Sequence, residues 1–237
     1  MEILNRPSAH LLTRVVLGLA ALTAAPGARA ADAAHPTVVE LFQSQGCSSC
    51  PPANANVMAL ADRPDVLALS WQVTYWDNLG WKDTFARPEF TARQWDYARA
   101  FHRSQVGTPQ VVVNGRTDLV GSSRGELDAA IRRADRGAGG PVIRLDARRV
   151  SISGPGRGAS VLLVRYDPHI VQVPIQRGEN GGRTLPHRNV VREVRRLGEW
   201  NGGEAEFALP PPGRPGLRTA VLLQQAAAGA IVAAAHD

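Results

Sequence analysis

The sequence predicts an α/β amino-terminal domain followed by an all-β domain or appendage, and three observations carry that expectation. Between Thr37 and about Arg136, apolar strand-like runs alternate with helical patches. The stretch Gly137-Ala138-Gly139-Gly140-Pro141 then reads as a linker. Beyond it helical period is lost, and short apolar runs recur between glycine and proline turns. The composition, 44% hydrophobic and 20% charged over 237 residues, fits a globular chain with a sizeable core.

The elements follow in order. Thr37 to Phe42 is a short apolar strand, Ala53 to Ala61 a helical patch, and Val66 to Trp71 a second buried strand. Pro88 to Arg103 reads as a helix, with Pro88 suited to its first turn. Gln110 to Val113 runs into Asn114-Gly115, a type I′ hairpin signal, and Asp118 to Gly121 leaves the turn. Arg124 to Arg133 carries Leu127, Ala130 and Ile131 on one helical face. Seven strand-like segments follow, at 142–153, 159–166, 169–175, 189–196, 204–209, 217–225 and 230–235, and suggest a β-sandwich-like domain over 141–237.

The amino terminus reads as an export address over residues 1–30. Arg6 and Arg14 precede an apolar stretch from Val15 to Ala25, and Ala28-Arg29-Ala30 has the form of a cleavage site. This predicts a periplasmic or secreted chain whose first domain covers 31–137. No apolar run reaches the roughly 18 residues of a membrane span. The formal charge is +6, and Lys82 is the only lysine among the 27 basic residues. Arginine spread evenly along the chain, with no basic helix or recognition motif, argues against nucleic acid as a partner.

The two cysteines of the chain stand together as Cys47-Ser48-Ser49-Cys50, after the first strand and before the first helix. A C-x-x-C at such a turn is the thioredoxin arrangement. A vicinal pair closes a small strained ring, so its disulfide is exchangeable, and a helix N-terminus stabilises the thiolate. A structural disulfide and a Cu(I)-handling dithiol are the other readings of the pair. With no further sulfur nearby, no metal site and no cofactor are expected. In the exchange reading Cys47 attacks and Cys50 resolves. Thr108-Pro109, before the third strand, is expected to be a cis bond that shapes a substrate groove. Glu40, in a buried strand, is the candidate acid beneath Cys50. Trp71, Tyr75, Trp76, Trp81 and Phe85 lie in an inserted segment at about 71–87. They form either the wall of a cleft, with Trp76 and Trp81 contacting substrate, or a satellite core. The partner is a protein or small-molecule thiol or disulfide. Tandem Pro51-Pro52 push the start of the regular helix toward Pro52. Arg177-Gly178-Glu179-Asn180-Gly181-Gly182-Arg183 reads as a constrained turn at a contact between the halves, and nothing pairs His187 with the cysteines.

The run from Val39 to Ala53, VELFQSQGCSSCPPA, resembles the signature of domain-of-unknown-function family 1223. Tyr75-Trp76-Asp77, Gly80-Trp81-Lys82-Asp83, Phe90 to Gln94, Thr108-Pro109-Gln110, Arg177 to Asn180, Asn189 to Arg192 and Gln224 fit as well. The resemblance implies a thioredoxin-like fold and a secreted location, with no activity to carry over. The chain departs from the family at Gln72, Thr74, Asn54 and Gly107, where His, Asp, Asp and Tyr are usual.

Overall fold

The computed structural model of the protein describes residues 1–2 and 30–237. The export segment expected over 1–30 therefore falls, apart from its ends, outside the described residues. The first half holds β1 (Thr37–Gln43), α1 (Cys50–Met58), β2 (Val66–Gln72), α2 (Pro88–Ala100), β3 (Gln110–Val113), β4 (Thr117–Leu119) and α3 (Arg124–Ala134). The second holds β5 (Val142–Leu145), β6 (Arg149–Ser153), β7 (Ala159–Asp167), β8 (Val171–Pro174) and β9 (Thr184–His187). β10 (Val190–Trp200), β11 (Ala205–Ala208), β12 (Arg218–Gln225) and β13 (Ile231–His236) complete it. Among the described residues no helix is long and apolar enough to cross a membrane.

Local chemistry accounts for most of these elements. β1 and β2 are buried along their whole length, as central parallel strands covered on both faces are. α2 begins on Pro88, whose missing N–H costs nothing in a first turn. Ser123 caps α3 by accepting from the Glu126 amide, in the serine-x-x-glutamate order of a capping box. The Asn114-Gly115 turn between β3 and β4 has positive φ at both residues, as type I′ requires. Gly115 is fixed by close approach as well: a Cβ there would lie 2.2 Å from the Gly229 carbonyl oxygen.

The expected fold class is not what forms. The protein is mostly β, built on one eight-stranded mixed sheet in the order β13-β12-β7-β10-β2-β1-β3-β4, with three short helices among the described residues. It is not a thioredoxin-like α/β unit carrying a β appendage. Strands of the second half continue the sheet begun by the first. The junction is the parallel pair Val190 with Ser70, reinforced by the Ser70 amide on the Asn189 carbonyl and by Asn189 Nδ2 on the Ala68 carbonyl at 2.8 Å.

Packing supplies the physical reason. α2 lies on a single core that takes Phe42, Trp71 and Val112 from the first half and Tyr166, Val191, Leu222 and Ile231 from the second. The opposite face of β1 to β3 is covered by α1, the turn after it and α3 through Val57, Leu60, Leu127 and Ile131. On that side of the later strands, the small sheet β11-β6-β5 packs Val150 and Ile152 against Val161, Leu163, Val221 and Leu223. Strands with apolar residues on both faces gain most by joining a sheet that is covered on both faces.

Glu40 ties this core together. Its carboxylate receives Arg93 Nε at 2.8 Å and Nη2 at 3.0 Å, and also accepts from the Tyr97 hydroxyl. Arg93 Nη1 reaches Gln224 of β12 at 3.0 Å, and Gln224 Nε2 donates to the Tyr97 oxygen at 2.9 Å. The guanidinium lies 5.1 Å from the Trp71 ring centre. Burial opposes the Arg93 charge, and the Glu40 carboxylate more than restores it, holding the group above its ordinary value. Removing one partner of such a pair strands the other charge in the core. Glu40→Ala is therefore expected to cost about 3–5 kcal/mol of stability, measured by denaturant unfolding. A loss below about 1 kcal/mol, the size of an exposed pair, would refute the tie.

Candidate functional site

The cysteine motif occupies the turn between β1 and α1, and Cys47 and Cys50 form a disulfide with a Cα separation of 5.4 Å. The Cys47 amide bonds the Ser44 carbonyl, and the Cys50 amide bonds the Cys47 carbonyl. These consecutive turns place Ser49 at φ −85° and ψ −7°, so α1 begins at Cys50 rather than near Pro52. The residue before a proline avoids helical angles in a free chain. Here the closed ring sets the backbone, and the prolines fall in a first turn where no N–H needs a partner.

The sulfurs are not open to solvent. Cys47 is 0% exposed and Cys50 2%, while Ser48 and Ser49 between them are exposed. Cys47, the attacking residue of the exchange reading, is thus covered. The cover comes from residues 177–183. Asn180, itself fully buried, donates through Nδ2 to the carbonyls of Gln45 and Cys47, both at 2.9 Å. Glu179 accepts from the Ser48 amide at 3.1 Å and from its hydroxyl at 2.6 Å. Arg183 Nη1 holds the Asn180 side-chain oxygen at 2.7 Å.

Two clefts flank the motif. On the Ser49 side lies Thr108-Pro109, joined by a cis bond, with Ser49 Oγ 3.5 Å from the Thr108 carbonyl oxygen. A cleft of about 400 Å³ runs past Ser49, Gly107, Thr108, Pro109, Leu119 and the exposed Val120. Trp76 Nε1 donates to Thr108 Oγ1 at 2.7 Å and so fixes this loop. On the Cys50 side a cleft of about 250 Å³ opens between α1 and the strand β9.

The sites expected from sequence divide accordingly. Thr108, with Pro109 after it and Trp76 bonded to it, reaches the Cys47–Cys50 turn through Ser49. Trp81 donates from its indole N–H to Gln45 Oε1 at 2.9 Å, but its ring packs with Phe85 on Val173, Ile175 and Leu185. The aromatic segment is thus divided: Trp81 and Phe85 join this satellite cluster, while Trp71, Tyr75 and Trp76 pack in or on the main core. Glu40 is not with the cysteines. Val38, Glu40 and Phe42 face α2, whereas Val39 and Leu41 face α1, because side chains alternate along a strand. From β1 it is Gln43 that lines a cleft with Cys50, and its Nε2 donates to Asn54 Oδ1 at 2.8 Å and to Ser70 Oγ at 2.7 Å.

Sequence reasoning missed Asn180, Glu179, Gln43, Asp83 and His187 as members of the site. Asp83 accepts the Gln45 amide at 2.7 Å and the Phe85 amide at 2.8 Å, anchoring the inserted segment to the residues before Cys47. Burial pushes its carboxyl up to about 7 against those two hydrogen bonds, and Asp77 adds to the rise. His187 is buried in the second cleft with neither ring nitrogen partnered and its ring edge-on to Phe85. Burial, with Arg192 adding, pushes it down to about 4.

These two groups act on stability in opposite senses. Folded Asp83 keeps a proton that the unfolded chain loses from its ordinary 3.8 upward. Its contribution is full at low pH and fades as pH rises to about 7. Unfolded His187 gains a proton below 6.5 that the folded chain refuses until about 4. Its contribution is full above 6.5 and fades as pH falls. Relative to the unchanged protein, His187→Phe should make stability fall more steeply as pH rises between these values. Asp83→Asn should make it climb. Denaturant unfolding across that range checks both, and parallel profiles for the three proteins would show that neither group is perturbed.

The comparisons with known proteins extend along most of the chain. The crystal structure of protein AGR_C_4864 from Agrobacterium tumefaciens is 33% identical. The match covers 87% of this chain and 94% of that one with a TM-score of 0.69. HBP35 of Porphyromonas gingivalis is similar in fold, with a TM-score of 0.61 at 11% identity over 88% of this chain and 76% of that one. No curated protein matches the chain. A family model matches residues 38–224, spanning both halves of the sheet, and the chain belongs to the family described as Protein of unknown function (DUF1223).

Proposed function

We propose that the protein exchanges thiols and disulfides through Cys47 and Cys50, in the periplasm or outside the cell. The observation that carries this reading is the position of the disulfide: it closes the turn entering α1, with the Thr108–Pro109 loop beside it. In the reduced protein Cys47 attacks one sulfur of a substrate disulfide and the other leaves as a thiolate. Cys50 then attacks the Cys47 sulfur of the mixed disulfide, which expels the second substrate sulfur as a thiolate and restores the Cys47–Cys50 bond. The dipole of α1 favours the thiolate form, with Pro51 and Pro52 removing two of the amide N–H groups of its first turn. An extended substrate segment lies in the cleft past Pro109 and Val120. Because Asn180 and Glu179 cover the motif, exchange needs the 177–183 loop to yield.

The rival reading is a secreted binding protein with a structural disulfide, and the near-complete burial of both sulfurs favours it. Equilibration in graded redox buffers separates the two. A potential between about −270 and −120 mV supports exchange, and one below about −300 mV supports the structural bond. The cover has its own test. Asn180→Ala removes two hydrogen bonds to the motif backbone, each worth about 0.5–1.5 kcal/mol. Alkylation of Cys47 in the reduced protein should accelerate by about tenfold. An unchanged rate would mean that the loop does not govern access.

A further inference from the structure

The cleft on the Cys50 side has a composition that the exchange reading does not use. Cys50, Asn54 and Ala55 of α1 form one wall, and Arg183, Leu185 and His187 of the β9 region form the other. Cys47 takes no part in it. His187 presents an imidazole with both nitrogens free, although the ring is 1% exposed. A neutral imidazole carries one donor and one acceptor, and leaving both unused in a buried place is costly unless a ligand engages them. Arg183 stands at the mouth as an exposed cation, and no acidic side chain lines the cleft. The volume of about 250 Å³ suits a molecule of a few heavy atoms and excludes a folded partner.

We propose that this cleft binds a small thiol that carries a carboxylate, and that such a thiol is the electron donor that opens the Cys47–Cys50 bond. The carboxylate pairs with the Arg183 guanidinium, the sulfur lies toward Cys50, and His187 accepts the S–H. The donor role rests on the exchange reading above; the binding site does not. In the reaction the thiolate attacks Cys50 Sγ and the Cys47–Cys50 bond breaks. Its electron pair leaves on Cys47, which takes up a proton. A second thiol attacks the ligand sulfur of the mixed disulfide and releases Cys50 as a thiol. Two small thiols are thus oxidised to one disulfide, and the protein gains two electrons and two protons. The order frees Cys47, whose neighbour Ser49 lines the other cleft, for a substrate.

Two measurements test this on the full chain. The first is titration of the oxidised protein with 3-hydroxypropionate, the oxygen analogue of 3-mercaptopropionate, following the His187 ring signals. A saturable shift is expected, weakened about tenfold in Arg183→Gln by loss of a charged hydrogen bond. Arg183 also holds Asn180, so Ala55→Phe is the second variant: it fills the mouth from an exposed position and should abolish the shift. The second measurement is the rate at which thiols open the disulfide. It should saturate with 3-mercaptopropionate, rise linearly with 2-mercaptoethanol, and lose saturation in Ala55→Phe. No His187 shift, or an equal one in Ala55→Phe, overturns the site whatever the redox behaviour. A His187 shift without saturable opening overturns the donor role and leaves the site. Resistance of the disulfide to a protein dithiol as well would bring down the exchange reading.

Discussion

A charge in a protein core cannot be left alone, and the Glu40–Arg93 pair makes the rest of this structure answer to that demand. The four groups that satisfy one another come from β1, α2 and β12, so none of the three elements settles without the other two. Their meeting fixes α2 across the sheet and draws a strand from the end of the chain into the core of the beginning. It also fixes both ends of the segment between β2 and α2. That segment carries Trp76, Trp81 and Asp83 to the residues on either side of the disulfide. The pair is remote from the sulfurs in contact and close to them in consequence.

The motif is completed by the second half of the chain rather than by its own neighbourhood. A turn of backbone that points two carbonyls in one direction needs a donor, and Asn180 supplies both N–H groups. Asn54 of α1 reaches the Pro186 carbonyl, so the first helix is tied to the same strand that carries His187. Any chemistry of the cysteines therefore belongs to the whole sheet, in keeping with a relative that matches along nearly its full length.

What could be read in advance was what local rules govern. The three helices, the Asn114-Gly115 turn, the central strands and the vicinal cysteines all declare themselves within a few residues. The fold class is not legible in the sequence because the junction of β2 with β10 rests on Asn189, a residue with φ +51° whose role no periodicity announces. β9 escaped notice because Pro186 interrupts it, a residue tolerated there because the β8–β9 pair stands outside the main sheet. Glu40 was placed under the cysteines although the face it takes depends on alternation from the strand end. That alternation puts Glu40 on the face toward α2, away from α1. The helix start shifted because a closed four-residue ring outweighs the preference of a residue before proline.

The loop over the motif also bears on how the protein ages. Asn180 is followed by glycine, the neighbour that least hinders attack of a backbone nitrogen on an asparagine side chain. That cyclisation expels ammonia, and hydrolysis of the resulting ring leaves a carboxylate. In the folded chain the Asn180 amide hydrogens face two carbonyls, and the Gly181 nitrogen is bonded to the Gly178 carbonyl at 3.0 Å. Both reacting groups are engaged with other partners. Folding thus preserves the residue, and a molecule that has spent time unfolded carries the record of it. Once the amide is an acid, its oxygens would face the same two carbonyls, and the loop could not close over the disulfide as before.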